Sequence, residues 1–156
     1  MLLQSDAVVS PVVRFPIGLV AGVVATLVMD QVMARVGEGE TPPTVAAGVL
    51  TLSHPDRAPE RLASVVHYLA GLLTGPLFVY LLYVAEFVLG PGTLGVVAAG
   101  AVLFLLMVGF FVVVVLPRPD GLSANRRTAV ARGWAISAAV YVLVAVPIVA
   151  VGSSLF

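Results

Sequence analysis

Residues 15–36 read FPIGLVAGVVATLVMDQVMARV, apolar almost throughout, with one acid inside the run. Gly18, Gly22, Thr26, Asp30 and Ala34 recur every fourth residue, so they share one helix face. A helix of this length, rising about 1.5 Å per residue, spans roughly 30 Å, the thickness of a bilayer's hydrocarbon core. A small-residue stripe that ends in a carboxylate marks this segment out from an ordinary apolar span.

Three further stretches are as long and as apolar. They cover 59–89, then 94–116 between Gly90-Pro91-Gly92 and Pro117, then 129–154. In lipid a chain must satisfy its own backbone groups, which at these lengths only helices do. The 156 residues are therefore predicted to form one all-α domain over 1–156, an integral membrane four-helix bundle. Composition agrees: 60% of residues are hydrophobic, 10% are charged and the mean hydropathy is +1.12. A soluble domain carries about 25% charged residues, so the solvent for most of this surface is expected to be the lipid bilayer.

The formal net charge is zero, which leaves no electrostatic footprint for nucleic acid. Cysteine is absent, which removes disulfides, thiolate metal sites and thiol catalysis together. All eight basic residues are arginine; with abundant Val, Ala and Gly, that bias points to a GC-rich, prokaryotic genome. Residues 1–14 lack a basic segment before an apolar one, so no cleaved signal is expected.

Loop charge predicts orientation. Arg35, Arg57 and Arg61 flank the loop 37–58; Arg118, Arg126 and Arg127 lie in the loop 117–128, with Arg132 just beyond; the opposite side carries only Arg14. The positive-inside rule then places both loops in the cytoplasm and both termini outside a plasma membrane. Within 37–58, Thr41-Pro42-Pro43-Thr44 is a helix start and VAAGVLTL continues it for one to two turns. That octet is too short to span, so it predicts a short cytoplasmic interfacial helix between the first two spans.

Polar residues inside the spans are the candidates for chemistry, and a carboxylate near mid-helix costs roughly 2.5–3.5 kcal/mol to insert. Asp30 lies six residues before the end of the first span, and His67 six residues beyond Arg61, so both are expected about 9 Å deep. The first two spans are antiparallel, which brings the two side chains to matching depth. Thr26 on one stripe, and Ser64 with Gly71 and Thr74 on the other, complete a predicted polar contact. Such a pair either ties two helices together or passes a proton or small solute. Glu86, near the outer end of the second span, is expected to be solvated among headgroups.

Gly18-x-x-x-Gly22, Gly71-x-x-x-Gly75 and Gly133-x-x-x-Ser137 are small-residue patterns that let helix backbones approach closely. They predict helix packing, within one chain, against a second copy, or against another membrane protein. Trp134 is expected to be an interface anchor and Tyr141 a deeper packing residue. His54, Asp56 and Glu60 lack metal-ligand spacing and are expected as solvated loop charges, so no metal and no cofactor are predicted. A haem held by two intramembrane histidines needs a partner for His67 that the spans do not contain. There is no phosphate-binding Gly-rich loop and no nucleophile elbow. Asp120-Gly121-Leu122-Ser123-Ala124-Asn125-Arg126 lacks the arginine and the later paired aspartates of membrane phosphatidyltransferases.

His67-Tyr68-Leu69-Ala70-Gly71, then Gly75, Phe78, Tyr83, Ala85-Glu86 and, after a turn, Gly95 and Gly100 resemble the central part of small bacterial and archaeal inner-membrane proteins similar to the YagU family. The resemblance covers about a third of the chain. It implies a multi-helix membrane protein and carries across neither a reaction nor a catalytic residue. The sequence therefore predicts a non-enzymatic protein, either an assembly or accessory subunit or a small translocator built on Asp30 and His67. The alternative is a membrane enzyme open to the cytoplasm, with His67 as base, Asp30 orienting it, and Glu60 or Arg61 holding a polar head group.

Overall fold

A computed structural model describes residues 9–156, so part of the 1–14 segment lies outside the described residues. The described chain is all-helical: α1 (Pro11–Met33), α2 (Thr41–Thr51), α3 (Glu60–Leu89), α4 (Thr93–Gly109) and α5 (Ala124–Ser153). A 3₁₀ turn at Pro55–Arg57 precedes α3, and a π-helical segment, Phe110–Val115, prolongs α4. α1, α3, the continuous Thr93–Val115 helix and α5 are each long and apolar enough to cross a membrane.

The four long helices form a ring in which α1 packs on α3 and α5, and α4 closes the other side against the same two. α2 lies across one end, packed mainly on α3. It begins where expected, because prolines are tolerated in a first turn whose N–H groups have no intrahelical partner. It runs for 11 residues, close to the expected stretch, and its Val45 and Ala47 are fully buried.

Boundaries moved where capping outweighed hydropathy. α1 begins at Pro11, four residues before the apolar run, because a proline in the first turn starts a helix without losing a bond. It ends at Met33 in a chain of turns, so Asp30 lies three residues from its end and not six. α5 starts at Ala124 because the Ser123 hydroxyl accepts the Arg126 N–H at 3.3 Å, and this takes Arg126 and Arg127 out of the loop into the first turn.

The α1–α3 crossing is where the glycine patterns are used. A Cβ at Gly22 would lie 2.8 Å from the carbonyl oxygens of both Gly71 and Leu72, and one at Gly18 would lie 2.7 Å from Val79 Cγ2. Gly75 approaches the Gly18 carbonyl in return. Pro76 contributes too, since its missing N–H leaves the Leu72 carbonyl without its helical donor, and that carbonyl faces Gly22. In lipid, helices gain little by hiding apolar surface from an apolar solvent, so close backbone contact of this kind carries the association. Gly133 and Ser137 act differently. Gly133 receives the turn at Gly37–Gly39, with the Gly37 oxygen 3.2 Å from a would-be Cβ, and the buried Ser137 hydroxyl donates to the Gly133 carbonyl at 2.9 Å. That face seats a loop instead of a helix.

Candidate functional site

Asp30 and His67 meet. His67 Nε2 lies 2.6 Å from Asp30 Oδ1, with the His67 side chain 11% and the Asp30 side chain 25% exposed. Tyr68, the next residue on α3, donates its hydroxyl to Asp30 Oδ2 at 2.9 Å. Both carboxylate oxygens therefore have donors from α3, and the Tyr68 contact was missed by reading only the His67 stripe. An aromatic hydroxyl beside His67, opposite an intramembrane acid, was the available signal.

Thr26 sits one turn below, buried, with its hydroxyl donated to the Gly22 carbonyl at 2.7 Å and its side chain, oxygen foremost, against Gly71. Ser64 does not join the cluster. It is exposed and donates to the Glu60 carbonyl at 3.0 Å. The reason is length, because α1 ends at Met33, one residue short of the turn that would face Ser64. Glu60 and Arg61 are also exposed at the α3 start and lie outside the cluster.

Beside the cluster is a cavity of about 410 Å³ that draws its walls from all five helices and the π segment. Met29 of α1 and Tyr141 of α5 form its floor, both buried. Ala70 and Leu77 of α3, with Leu106 of α4 and Phe110 of the π segment, line it and are also exposed, so they are the lips of a lateral cleft between α3 and α4. Pro42 and Pro43 of α2 close the end where His67 lies.

The cleft occupies one half of the bundle. Its α3 wall runs from Val66 to Leu77, twelve residues or about 16 Å of rise, which is about half of a ~30 Å hydrocarbon core. The π segment forms part of its wall. An extra residue per turn swings Phe111 inward, 5% exposed, against the Trp134 ring at a centroid distance of 5.0 Å. Trp134 then donates its indole N–H to the Met107 carbonyl at 3.0 Å, next to the α-to-π junction. This indole is a structural clamp instead of an interface anchor.

Most polar groups on the cleft wall are already spent. The Tyr141 hydroxyl donates to the Gly71 carbonyl at 2.7 Å and Thr74 to the Ala70 carbonyl at 2.7 Å, as Thr26 and Trp134 do to Gly22 and Met107. His67 Nδ1 has no hydrogen-bond partner among the described residues, and no buried side-chain nitrogen or oxygen there is left unpaired, so this atom is accessible. The enzyme arrangement needs His67 beside at least two more free polar groups; on this wall the others are bound to backbone.

Glu86 is the clearest correction. It is buried, with Oε2 2.6 Å from Arg14 Nη1 and side chains 7% and 6% exposed. Arg14 Nε donates to Ser153 Oγ at 3.2 Å, and the guanidinium lies 4.8 Å from the Tyr83 ring centroid. This second cluster ties α1, α3 and α5 at the end away from α2. Arg14 and Glu86, an arginine and an acid inside apolar helices at the same end, were the sequence signal.

The loop charges are also more organised than expected. Arg126 donates through Nη1 and Nη2 to both oxygens of Asp56, at 2.9 and 2.8 Å, and through Nε to Glu38 Oε1 at 3.0 Å. Hydrogen bonds from Arg126 hold the Asp56 carboxyl below its ordinary pKa. The Thr41 hydroxyl, then Arg126, does the same for Glu38. This fork pins the α1–α2 turn and the segment before α3 to the start of α5. Among the described residues, no three His, Asp or Glu side chains converge as a metal site would need. Comparison with protein-family models, curated proteins and solved structures finds no match, so the site is read from its own geometry.

Proposed function

We propose that this chain is a non-enzymatic plasma-membrane protein that takes one lipid-like chain laterally from the bilayer into the α3–α4 cleft. The observation that carries this reading is the cleft itself, about 410 Å³, within the roughly 300–1,000 Å³ typical of ligand pockets. Apolar side chains line it, its open side faces lipid, and its height matches one leaflet. Arginines at 35, 57, 61, 118, 126 and 127 gather at the α2 end, against Arg14 at the other, which favours a cytoplasmic α2 end and an inner-leaflet occupant. The Asp30–His67–Tyr68 cluster serves as an interhelical tie at the rim. Glycines 18, 22, 71 and 75 are occupied within the chain, so a second copy or accessory partner would have to meet other faces.

The test is labelling by a photoactivatable long-chain acyl probe in vesicles holding the whole protein. Adducts should concentrate at the lips, around Ala70 and Leu106, and Ala70→Trp should deplete them while the outward Leu69→Trp does not. Equal labelling on every lipid-facing helix, indifferent to Ala70→Trp, refutes the reading.

A further inference from the structure

The cleft has a polar end, and its chemistry selects a head group. Resting on the lipid-binding reading above, we propose that the occupant is a single-chain, hydroxyl-headed lipid, a long-chain alcohol, whose O–H donates to His67 Nδ1. The argument starts from the tautomer. Asp30 accepts from Tyr68 at Oδ2 and, as a carboxylate, accepts the proton-bearing Nε2 of His67 at Oδ1. A carboxylate on one ring nitrogen fixes which nitrogen carries the hydrogen. In this tautomer Nδ1 carries a lone pair, so the ring nitrogen without a partner among the described residues accepts and does not donate.

An acceptor in an apolar cleft discriminates sharply between heads. A hydroxyl satisfies it. An ether or a methyl ester brings no hydrogen to donate and leaves Nδ1 unpaired. A carboxylate sets its charge against the lone pair and against Asp30, within one ring width. Position agrees with chemistry. His67 is at the α2 end of the cleft, beside Pro42 and Pro43, and Leu77 is some ten residues further along α3, towards the middle of the span. A single chain lying along that wall, head at His67 and tail at Leu77, fills one leaflet's depth of about 15 Å. Thr26, Thr74 and Tyr141 have their hydroxyl hydrogens committed to backbone carbonyls, as Trp134 has its indole N–H, and an imidazole nitrogen lone pair is a stronger acceptor than the hydroxyl oxygens that remain.

The experiment is competition against a photoactivatable long-chain alcohol in vesicles of a single phosphatidylcholine. The competitors are the unlabelled alcohol, its methyl ether and the matching carboxylate, all of one chain length. One hydrogen bond corresponds to roughly three- to tenfold in competing concentration, so the alcohol should outcompete the ether and the carboxylate by that factor. His67→Phe should still be labelled at Ala70 and Leu106 but lose the difference between alcohol and ether. Equal competition by alcohol and ether in the native protein overturns the head-group assignment while leaving lipid binding standing, and so does preference for the carboxylate. Absence of cleft labelling by the alcohol and by the acyl probe alike removes the lipid-binding reading and this inference with it. Asp30→Asn is the second variant: with the tautomer no longer fixed, labelling should persist and the alcohol preference should shrink. An unchanged preference counts against the mechanism.

Discussion

Replacing Glu86 by leucine should be among the most damaging single changes to this bundle, and replacing Arg14 with it should undo most of the damage. Arg14 Nη1 and Glu86 Oε2 are 2.6 Å apart, with both side chains under a tenth exposed. At an effective dielectric of 20, Coulomb's law gives about 6 kcal/mol for that separation. Desolvating the two ions costs several kcal/mol each, so the pair roughly breaks even against apolar residues of similar volume. Removing one partner is different, because the other charge stays buried and uncompensated. The expected losses are about 3–5 kcal/mol for Glu86→Leu, with the double variant Arg14→Leu/Glu86→Leu returning to within about 1–2 kcal/mol of the native protein. Glu86→Gln should fall between, since its amide oxygen can still accept from the guanidinium. The assay is titration of dodecyl sulfate into dodecyl maltoside micelles, followed by fluorescence of Trp134, the only tryptophan, which packs on Phe111. A loss under about 1 kcal/mol for Glu86→Leu would show that the freed Arg14 extends to the headgroups instead of staying buried. A double variant as unstable as the single would show that the two charges are not coupled. Either result refutes the reasoning.

Three other perturbations have defined outcomes. Gly22→Ala puts a methyl 2.8 Å from two backbone oxygens of α3, neither of which can rotate away, so α1 and α3 must separate; the same titration should register a loss of about 1–3 kcal/mol, and a native-like midpoint would disprove the close crossing. Tyr68→Phe removes one interhelical hydrogen bond to Asp30 and should cost about 0.6 kcal/mol, the average for such bonds in membranes; a cost several times larger would make Tyr68 more than a tie. The Arg126 fork predicts a pH effect. Glu38 and Asp56 have lowered pKa values in the folded state, so their contribution is complete above the ordinary carboxylate range of about 4. It is lost as the pH falls through the lowered folded values. Arg126→Gln should flatten that acid limb in unfolding midpoints taken from pH 6 downwards, and a variant with the native slope would remove the fork from the account.

The spans were legible because lipid imposes a length and a composition on any helix that crosses it, and all four stretches meet both. The α1–α3 crossing was legible for a related reason: in an apolar solvent close approach needs small residues, and Gly18, Gly22, Gly71 and Gly75 repeat at the helical period. Depth matching brought Asp30 to His67. Ser64 was misplaced because stripe logic assumes that the facing helix continues, and α1 stops at Met33. Glu86 was misplaced because nearness to a helix end was taken for exposure; a partner 72 residues away decides it. The Gly133–Ser137 pattern was read as helix packing because spacing does not say whether a small face receives a helix or a turn. The cleft left no mark at all, since a gap between two apolar helices has no residue of its own, and the π segment that lines it reads as plain FFVVVV.

Where the gap falls has a physical reason. α1 is tied to α3 by Asp30 with His67 and Tyr68, and to α3 and α5 by Arg14 with Glu86 and Ser153. Tyr141 ties α5 to α3 through the Gly71 carbonyl. These three helices thus share polar bonds near both ends and in the middle. α4 has one such bond among the described residues, from Trp134 to the Met107 carbonyl, and that one faces α5. Between α3 and the C-terminal half of α4 with its π segment there is only dispersion, and in lipid an acyl chain supplies dispersion about as well as a leucine does. Parting these two helices therefore costs little once a chain takes the vacated contacts. Parting any other pair would break a buried hydrogen bond or ion pair, with no water present to replace it. The cleft lies along the one seam of the ring where an apolar guest can substitute for the protein's own packing, and His67, anchored from behind by Asp30, is the polar group at its end.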